Sequence, residues 1–263
     1  MAWVETESLS FTARHESADE ACAQRTLDRL EDLRLRLEER FDDAPGGITV
    51  IVHPSPGWLA AAHPFLPGAR LAAAPAGRRY LAGWAMASEL HVLNDDFTDR
   101  RAAGEDSLAA LRGTAERLYA QIVIAANNTR LPPPWGPRRF ARYLRWAWLI
   151  EGGAQYFAGQ TSLFRAAVNT RMRQGKAPAF PPSARDAIIL GGTTFDLLSR
   201  ERGPDACAVL VSRLRRQGPQ KAIELAFGER FSMVEREWRR YLREELPRAG
   251  SLEDFELEPG DRF

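Results

Sequence analysis

Glu116 and Glu151 are the residues of this chain best placed to do chemistry. Each stands in an apolar, helix-forming stretch, and two carboxylates whose environments separate their pKa values can divide general-acid and general-base work at one bond. Glu116 also follows Arg112 by four residues, so an i, i+4 ion pair on a half-exposed helix face accounts for it without catalysis, and that plainer reading is preferred. Glu151 precedes Gly152-Gly153, the composition of a close helix crossing, which puts its carboxylate in the interior where an unpaired charge is costly. An arginine is therefore expected to hold both carboxylates, with Arg112, Arg142 and Arg145 as candidates.

The histidines are His15, His53, His63 and His91; none lies beyond residue 91 and no two stand at i, i+4 spacing. His53-Pro54 and His63-Pro64 could suggest a metal pair, but a strand end and a loop more often carry such histidines structurally. Cys22 and Cys207 lie far apart in amphipathic helical segments and read as buried free thiols. From Trp135 to Trp148, Arg138, Arg139, Arg142 and Arg145 alternate with Phe140, Tyr143 and Trp146. That composition suits single-stranded nucleic acid or a membrane surface. An amphipathic helix with its arginines in water is the preferred reading, because Arg138, Arg142 and Arg145 share a face.

These residues need elements to hold them. Leu9 and Phe11 read as a short strand; residues 17–41 carry Ala23, Leu27, Leu30, Leu37 and Phe41 at helical spacing, closed by Pro45-Gly46-Gly47. Residues 48–53 form a β-branched strand stopped by Pro54, and Leu90-His91-Val92-Leu93 is another. After Ser107, a candidate cap, Leu108, Leu111, Ala115, Leu118, Ile122 and Ala125 predict one helix over 107–126. A second runs over 146–160. Ser183 with Asp186 and Ser232 with Glu235 have capping-box spacing, and Gly203 and Gly228 mark helix ends.

Two segments carry a family resemblance. Thr114-Ala115-Glu116-Arg117-Leu118-Tyr119 sits where a zinc peptidase carries H-E-x-x-H, and Trp148-Leu149-Ile150-Glu151-Gly152-Gly153-Ala154-Gln155-Tyr156 resembles the W-L-x-E-G-x-A-x-Y segment that supplies the third ligand. With the closing run from Ala222 to Leu242, the order of elements resembles the gluzincin-type peptidases, and more narrowly the peptidase MA-like domains. The resemblance implies an α+β, zincin-like fold with a mixed α/β lobe (1–106) and a helical lobe (107–246) flanking a cleft, followed by an acidic tail (247–263). It implies that Ala115 and Tyr119 replace the two histidine ligands, while Glu116 keeps the general-base position and Glu151 the third-ligand position. Glu116 and Glu151 should then converge across two packed helices, and histidines at 115 and 119 should rebuild a zinc site with Glu151.

Two of three ligands are gone, so no metal and no other cofactor is expected. The resemblance implies a non-catalytic relative that takes a peptide or small ligand in the cleft, lined by Arg112, Glu116, Tyr119, Arg142, Arg145 and Glu151. A metal-independent hydrolase using Glu116 and Glu151, or a metallopeptidase recruiting His53, His63 or His91, are the rivals. Lys+Arg 36 against Asp+Glu 35 gives a net charge of +1, which offers no global reason for nucleic acid or an anionic membrane as partner. Any basic site must be local. The amino terminus lacks a signal-like apolar run, and a cytoplasmic protein is expected.

Overall fold

The computed structural model describes residues 3–63, 66–131, 137–174, 176–213 and 218–244, with backbone alone for 137–139. The fold is mixed α+β, and the described strands all lie within the first 93 residues. β1 (Trp3–Glu7) and β2 (Phe11–Glu16) form a hairpin, so the expected short strand begins only at Phe11; Leu9 sits in the turn, 95% exposed. α1 (Glu20–Glu38) buries Ala23, Leu27, Leu30 and Leu37 as their spacing requires. β3 (Ile48–His53) follows, then two short helices, α2 (Pro56–Ala62) and α3 (Leu66–Ala72), a 3-10 turn over Pro75–Tyr80, and the hairpin of β4 (Gly83–Ala85) and β5 (Glu89–Leu93).

The sheet runs β1-β2-β3-β5-β4, with β2, β3 and β5 parallel and the two edge strands antiparallel to their neighbours. Register sets Ala13, Val50, Leu90 and Ala85 side by side on one face, all buried. Successive residues point to opposite faces, so His53, Glu89 and His91 share the other face with Trp84.

The helices that follow are α4 (Asp95–Arg101), α5 (Glu105–Arg112), α6 (Thr114–Asn127), α7 (Pro137–Phe157), α8 (Arg165–Arg173), α9 (Ala187–Arg202), α10 (Pro204–Ser212), α11 (Pro219–Phe227) and α12 (Phe231–Glu244). The single helix expected over 107–126 is two helices, α5 and α6, broken at Gly113. At the break Gln160 Nε2 donates to Gly113 O at 2.6 Å, and a Cβ on Gly113 would lie 2.3 Å from that nitrogen. Ser107 does not cap; it is buried inside α5, whose N-cap is Gly104 at φ 120°. Neither capping box forms. Asp186 precedes α9 with its carboxylate on Arg171, 2.6 Å from Nε, and Ser232 lies within α12. Gly203 (φ 83°) and Gly228 (φ 68°) do end α9 and α11, where left-handed backbone favours glycine.

α7 and α9 make the closest crossing. Gly152 meets Gly191, where an added Cβ would fall 2.4 Å from the Gly191 carbonyl carbon, and Gln155 Oε1 accepts from Gly192 N at 3.2 Å. α12 docks through Trp238, whose Nε1 donates to Thr193 Oγ1 at 2.8 Å. Among the described residues no helix is long and apolar enough to cross a membrane. The expected acidic tail over 247–263 lies outside the described residues.

Gly152→Ala is expected to lower stability by about 3 kcal/mol, because backbone on both helices must separate. Gly68→Ala, where nothing lies within 4 Å of the added Cβ, should be neutral or stabilise by up to about 1 kcal/mol. Thermal denaturation of the two variants checks the contrast.

Candidate functional site

A buried ion pair lies at the junction of α6, α7 and the edge strand β4. Arg117 Nη1 donates to Glu151 Oε2 at 2.8 Å, and Arg117 Nη2 donates to Tyr80 O at 3.0 Å. Tyr143 Oη donates to the other carboxylate oxygen, Oε1, at 2.5 Å. Arg117 is 2% exposed and Glu151 4%, so the charges are held by each other and by these hydrogen bonds rather than by water. Burial, together with the adjacent Glu151 carboxylate, holds the Tyr143 phenol well above its usual pKa, which keeps it a hydrogen-bond donor.

Local structure explains why Arg117 is the partner. On α6, residues i and i+4 lie one above the other, and Arg117 and Gln121, with Leu118 flanking them, line a cavity with Glu151, Tyr143 and the strand residues Gly83, Trp84 and Ala85. Gly83 is needed there, because a Cβ would meet Thr114 Cγ2 at 2.8 Å and Leu118 Cδ1 at 2.9 Å. The ladder pairs Ala82 with Leu93 and Met86 with Glu89, which turns the backbone groups of Gly83 and Ala85 to the outer edge of β4. The cavity's volume is about 10 Å³, room for no more than one water.

The expected convergence of Glu116 with Glu151 does not occur. Adjacent residues on a helix diverge by about 100°, so Glu116 points away from its neighbour Arg117, toward α1. There Arg29 Nε donates to Glu116 Oε1 at 2.7 Å, and Arg29 Nη2 donates to Arg112 O at 2.9 Å. Glu116 lines an open concavity of about 490 Å³ with Arg29, Asp32, Leu35, Arg36 and Ala158, and shares no lining residue with the Glu151 cavity. Its Oε2 is buried without a hydrogen-bond partner, and burial raises its pKa despite Arg29.

The three candidate arginines lie elsewhere. Arg112 pairs with Asp99, Nη2 to Oδ2 3.0 Å, in place of the expected i, i+4 pair with Glu116, and Arg142 and Arg145 are exposed on α7 while Tyr143, Trp146 and Trp148 are buried. That is the amphipathic pattern; the side chains of Arg138 and Arg139 lie outside the described residues. Ala115 is buried, and Tyr119 turns its ring edge-on to Phe11 at 5.0 Å and donates to Pro45 O at 3.0 Å. Neither faces Glu151. Arg117, Gln121 and Arg29 were not singled out by spacing, and Tyr143 only as one of the interleaved aromatics; the one available signal was that Arg117 and Gln121 stand at i, i+4.

Three of the four histidines form a second buried group. His53 Nε2 and His91 Nδ1 share a hydrogen bond at 2.9 Å, His63 stands edge-on to His91 with ring centroids 4.2 Å apart, and Glu89 Oε2 lies 3.3 Å from His91 Nε2. Among the described residues, no group of three His, Cys, Asp or Glu side chains is arranged to hold a metal ion. Burial first, then neighbouring histidines, pushes His53 and His63 down to about 4, and burial lowers His91 despite Glu89. Cys22 and Cys207 are buried free thiols.

Compared with known proteins, the chain matches no family model, no curated protein and no solved structure.

Removing the cation alone, as in Arg117→Met, leaves Glu151 buried and unpaired and should cost about 3–5 kcal/mol; Arg117→Met with Glu151→Gln should recover much of that loss in a double-mutant cycle. The histidines give a pH signature. Unfolded, they take protons near pH 6.5; folded, His53 and His63 resist until about 4. Stability should thus be full above pH 6.5 and fall as pH drops from there toward 4, by up to about 3 kcal/mol per histidine. Urea titrations of wild type and His53→Gln across that window should show a shallower slope in the variant.

Proposed function

We propose that this protein is a non-catalytic relative of the gluzincin-type, peptidase MA-like metallopeptidases and works by binding a peptide or small ligand. The observation that carries the reading is the guanidinium of Arg117 on Glu151. A zinc site of that class needs two ligands at i and i+4 of one helix and a glutamate from the next, beside a short edge strand. Arg117, Gln121 and Glu151 line one cavity with residues of β4, which supports this reading. The segment to align is then Arg117-Leu118-Tyr119-Ala120-Gln121, two residues beyond the one the sequence suggested. A guanidinium stands at the first ligand position, an amide at the second, and Leu118 at the position of the general base. This donor set does not fit a zinc ion, since arginine carries a fixed positive charge and no lone pair to offer.

Space supports the same conclusion, because a cavity of about 10 Å³ at Glu151 admits no substrate. The rival hydrolase needs Glu116 and Glu151 at one bond, and they line separate cavities. Recruitment of His53 or His91 is opposed by their position on the sheet face turned away from α6, and His63 packs against His91 there. The binding surface is assigned to the groove of about 490 Å³ beside Glu116, a size suited to a small ligand or a few residues of peptide.

Metal analysis after zinc exposure and desalting checks this. Wild type should retain no stoichiometric zinc; Arg117→His with Gln121→His should bind one ion per chain through Glu151; Ala115→His with Tyr119→His should bind none. A folded 117/121 variant that stays metal-free while the 115/119 variant loads zinc would sink the reading.

A further inference from the structure

Arg70 on α3, Arg79 in the turn before β4 and Arg101 at the end of α4 are half-buried. Arg70 and Arg101 reach one stretch of backbone, the one that carries Arg79. Arg70 donates from Nε and Nη2 to Leu81 O at 3.1 and 2.9 Å, and Arg101 donates from Nη2 to Arg78 O at 3.2 Å. Arg78, more exposed, folds back so that its Nε donates to Ala73 O at 3.2 Å.

This grouping departs from the rest of the molecule. Other buried or half-buried guanidiniums among the described residues meet carboxylates, as Arg29 meets Glu116, Arg117 meets Glu151 and Arg171 meets Asp186. Among the described residues, Arg70, Arg79 and Arg101 form no ion pair. Their acceptors are carbonyl oxygens, which satisfy hydrogen bonds without neutralising charge. Like charges partly withdrawn from water repel one another, and Arg101 is pushed down to about 10 by burial first and then by Arg70 and Arg79. A guanidinium has five N–H donors; Arg70 uses two and Arg101 one on these carbonyls, so planar forks remain for an oxyanion.

We propose that Arg70, Arg79 and Arg101 form a binding site for a small anion bearing a phosphate group. Three cations call for more than the single charge of a carboxylate. A phosphate monoester or diphosphate supplies about two or more negative charges at neutral pH and several acceptor oxygens, and guanidinium forks match its geometry bidentately. The site is separate from the Glu151 centre and stands whether or not the zinc-peptidase ancestry does. It adjoins that centre, however, because the same turn offers Tyr80 O to Arg117.

Calorimetric titration of the full chain with inorganic phosphate and pyrophosphate, with sodium chloride at matched ionic strength as reference, tests the site. Pyrophosphate should bind saturably and raise Tm, and Arg70→Gln and Arg101→Gln should each weaken binding about tenfold or more. Without anion, Arg101→Gln should melt no lower than wild type, since repulsion is relieved. Should Arg101→Gln prove unfolded, Arg70→Gln with Arg79→Gln replaces it. Sedimentation with phosphatidate vesicles distinguishes the source. Binding that pyrophosphate displaces and Arg70→Gln abolishes points to a lipid headgroup; pyrophosphate binding without it points to a soluble phosphate. Affinity unchanged in both variants, or a wild-type response no larger than that to sodium chloride, would overturn the proposal.

Discussion

A carboxylate buried between α6 and α7 must find a positive charge, and Arg117 is where this chain places it. Taking both ions out of water is expensive, and the cost is offset only when geometry and additional hydrogen bonds are good. Tyr143 completes the carboxylate from α7 itself, and Tyr80 O anchors the guanidinium to the turn that leads into β4. Three parts of the chain distant in sequence are thereby fixed at one point. The edge strand cannot shift away from α6 without breaking the contact at Tyr80, and α7 cannot rotate without exposing Glu151.

The chemistry of the centre follows from helix geometry. Glu116 and Arg117 are neighbours in sequence but serve different walls, one facing α1 and an open groove, the other facing α7 and a small cavity. A shift of two residues along a helix turns the face by about 200°, so the choice between Ala115/Tyr119 and Arg117/Gln121 as the inward pair separates opposite sides of α6. With Arg117 inward, Glu151 is paired with a cation that is part of α6 itself and cannot be displaced or exchanged. The centre acts as a strut between α6, α7 and the turn before β4.

Two clusters of basic side chains are handled in opposite ways. His53, His63 and His91 sit nearly fully buried and lose their charge, because an imidazole can give up its proton at modest cost. Arg70, Arg79 and Arg101 cannot do this near neutral pH. They stay half-exposed, Arg70 and Arg101 oriented by carbonyls of the turn that carries Arg79. Burial that neutralises histidine leaves arginine charged, and that difference is why one cluster reads as packing and the other as a place for an anion.

Much of the framework was legible in the sequence. The spacing of Leu27, Leu30 and Leu37 dictates α1; the β-branched run at 48–53 dictates β3; Gly203 and Gly228 stop their helices because left-handed backbone suits glycine; and Glu151 ahead of Gly152-Gly153 marks a tight crossing with a carboxylate inside. These depend on near neighbours in the chain. What sequence could not decide was which partner each charge finds. Arg29 and Glu116 are 87 residues apart, Arg117 and Glu151 34, and Gln160 and Gly113, which meet at the break between α5 and α6, 47. Periodicity shows that a helix has an inward face but not which of two overlapping i, i+4 pairs occupies it. That choice is made when the helix docks against β4 and α7, where a shift of two residues would turn Arg117 away from Glu151 and leave the carboxylate without its charge.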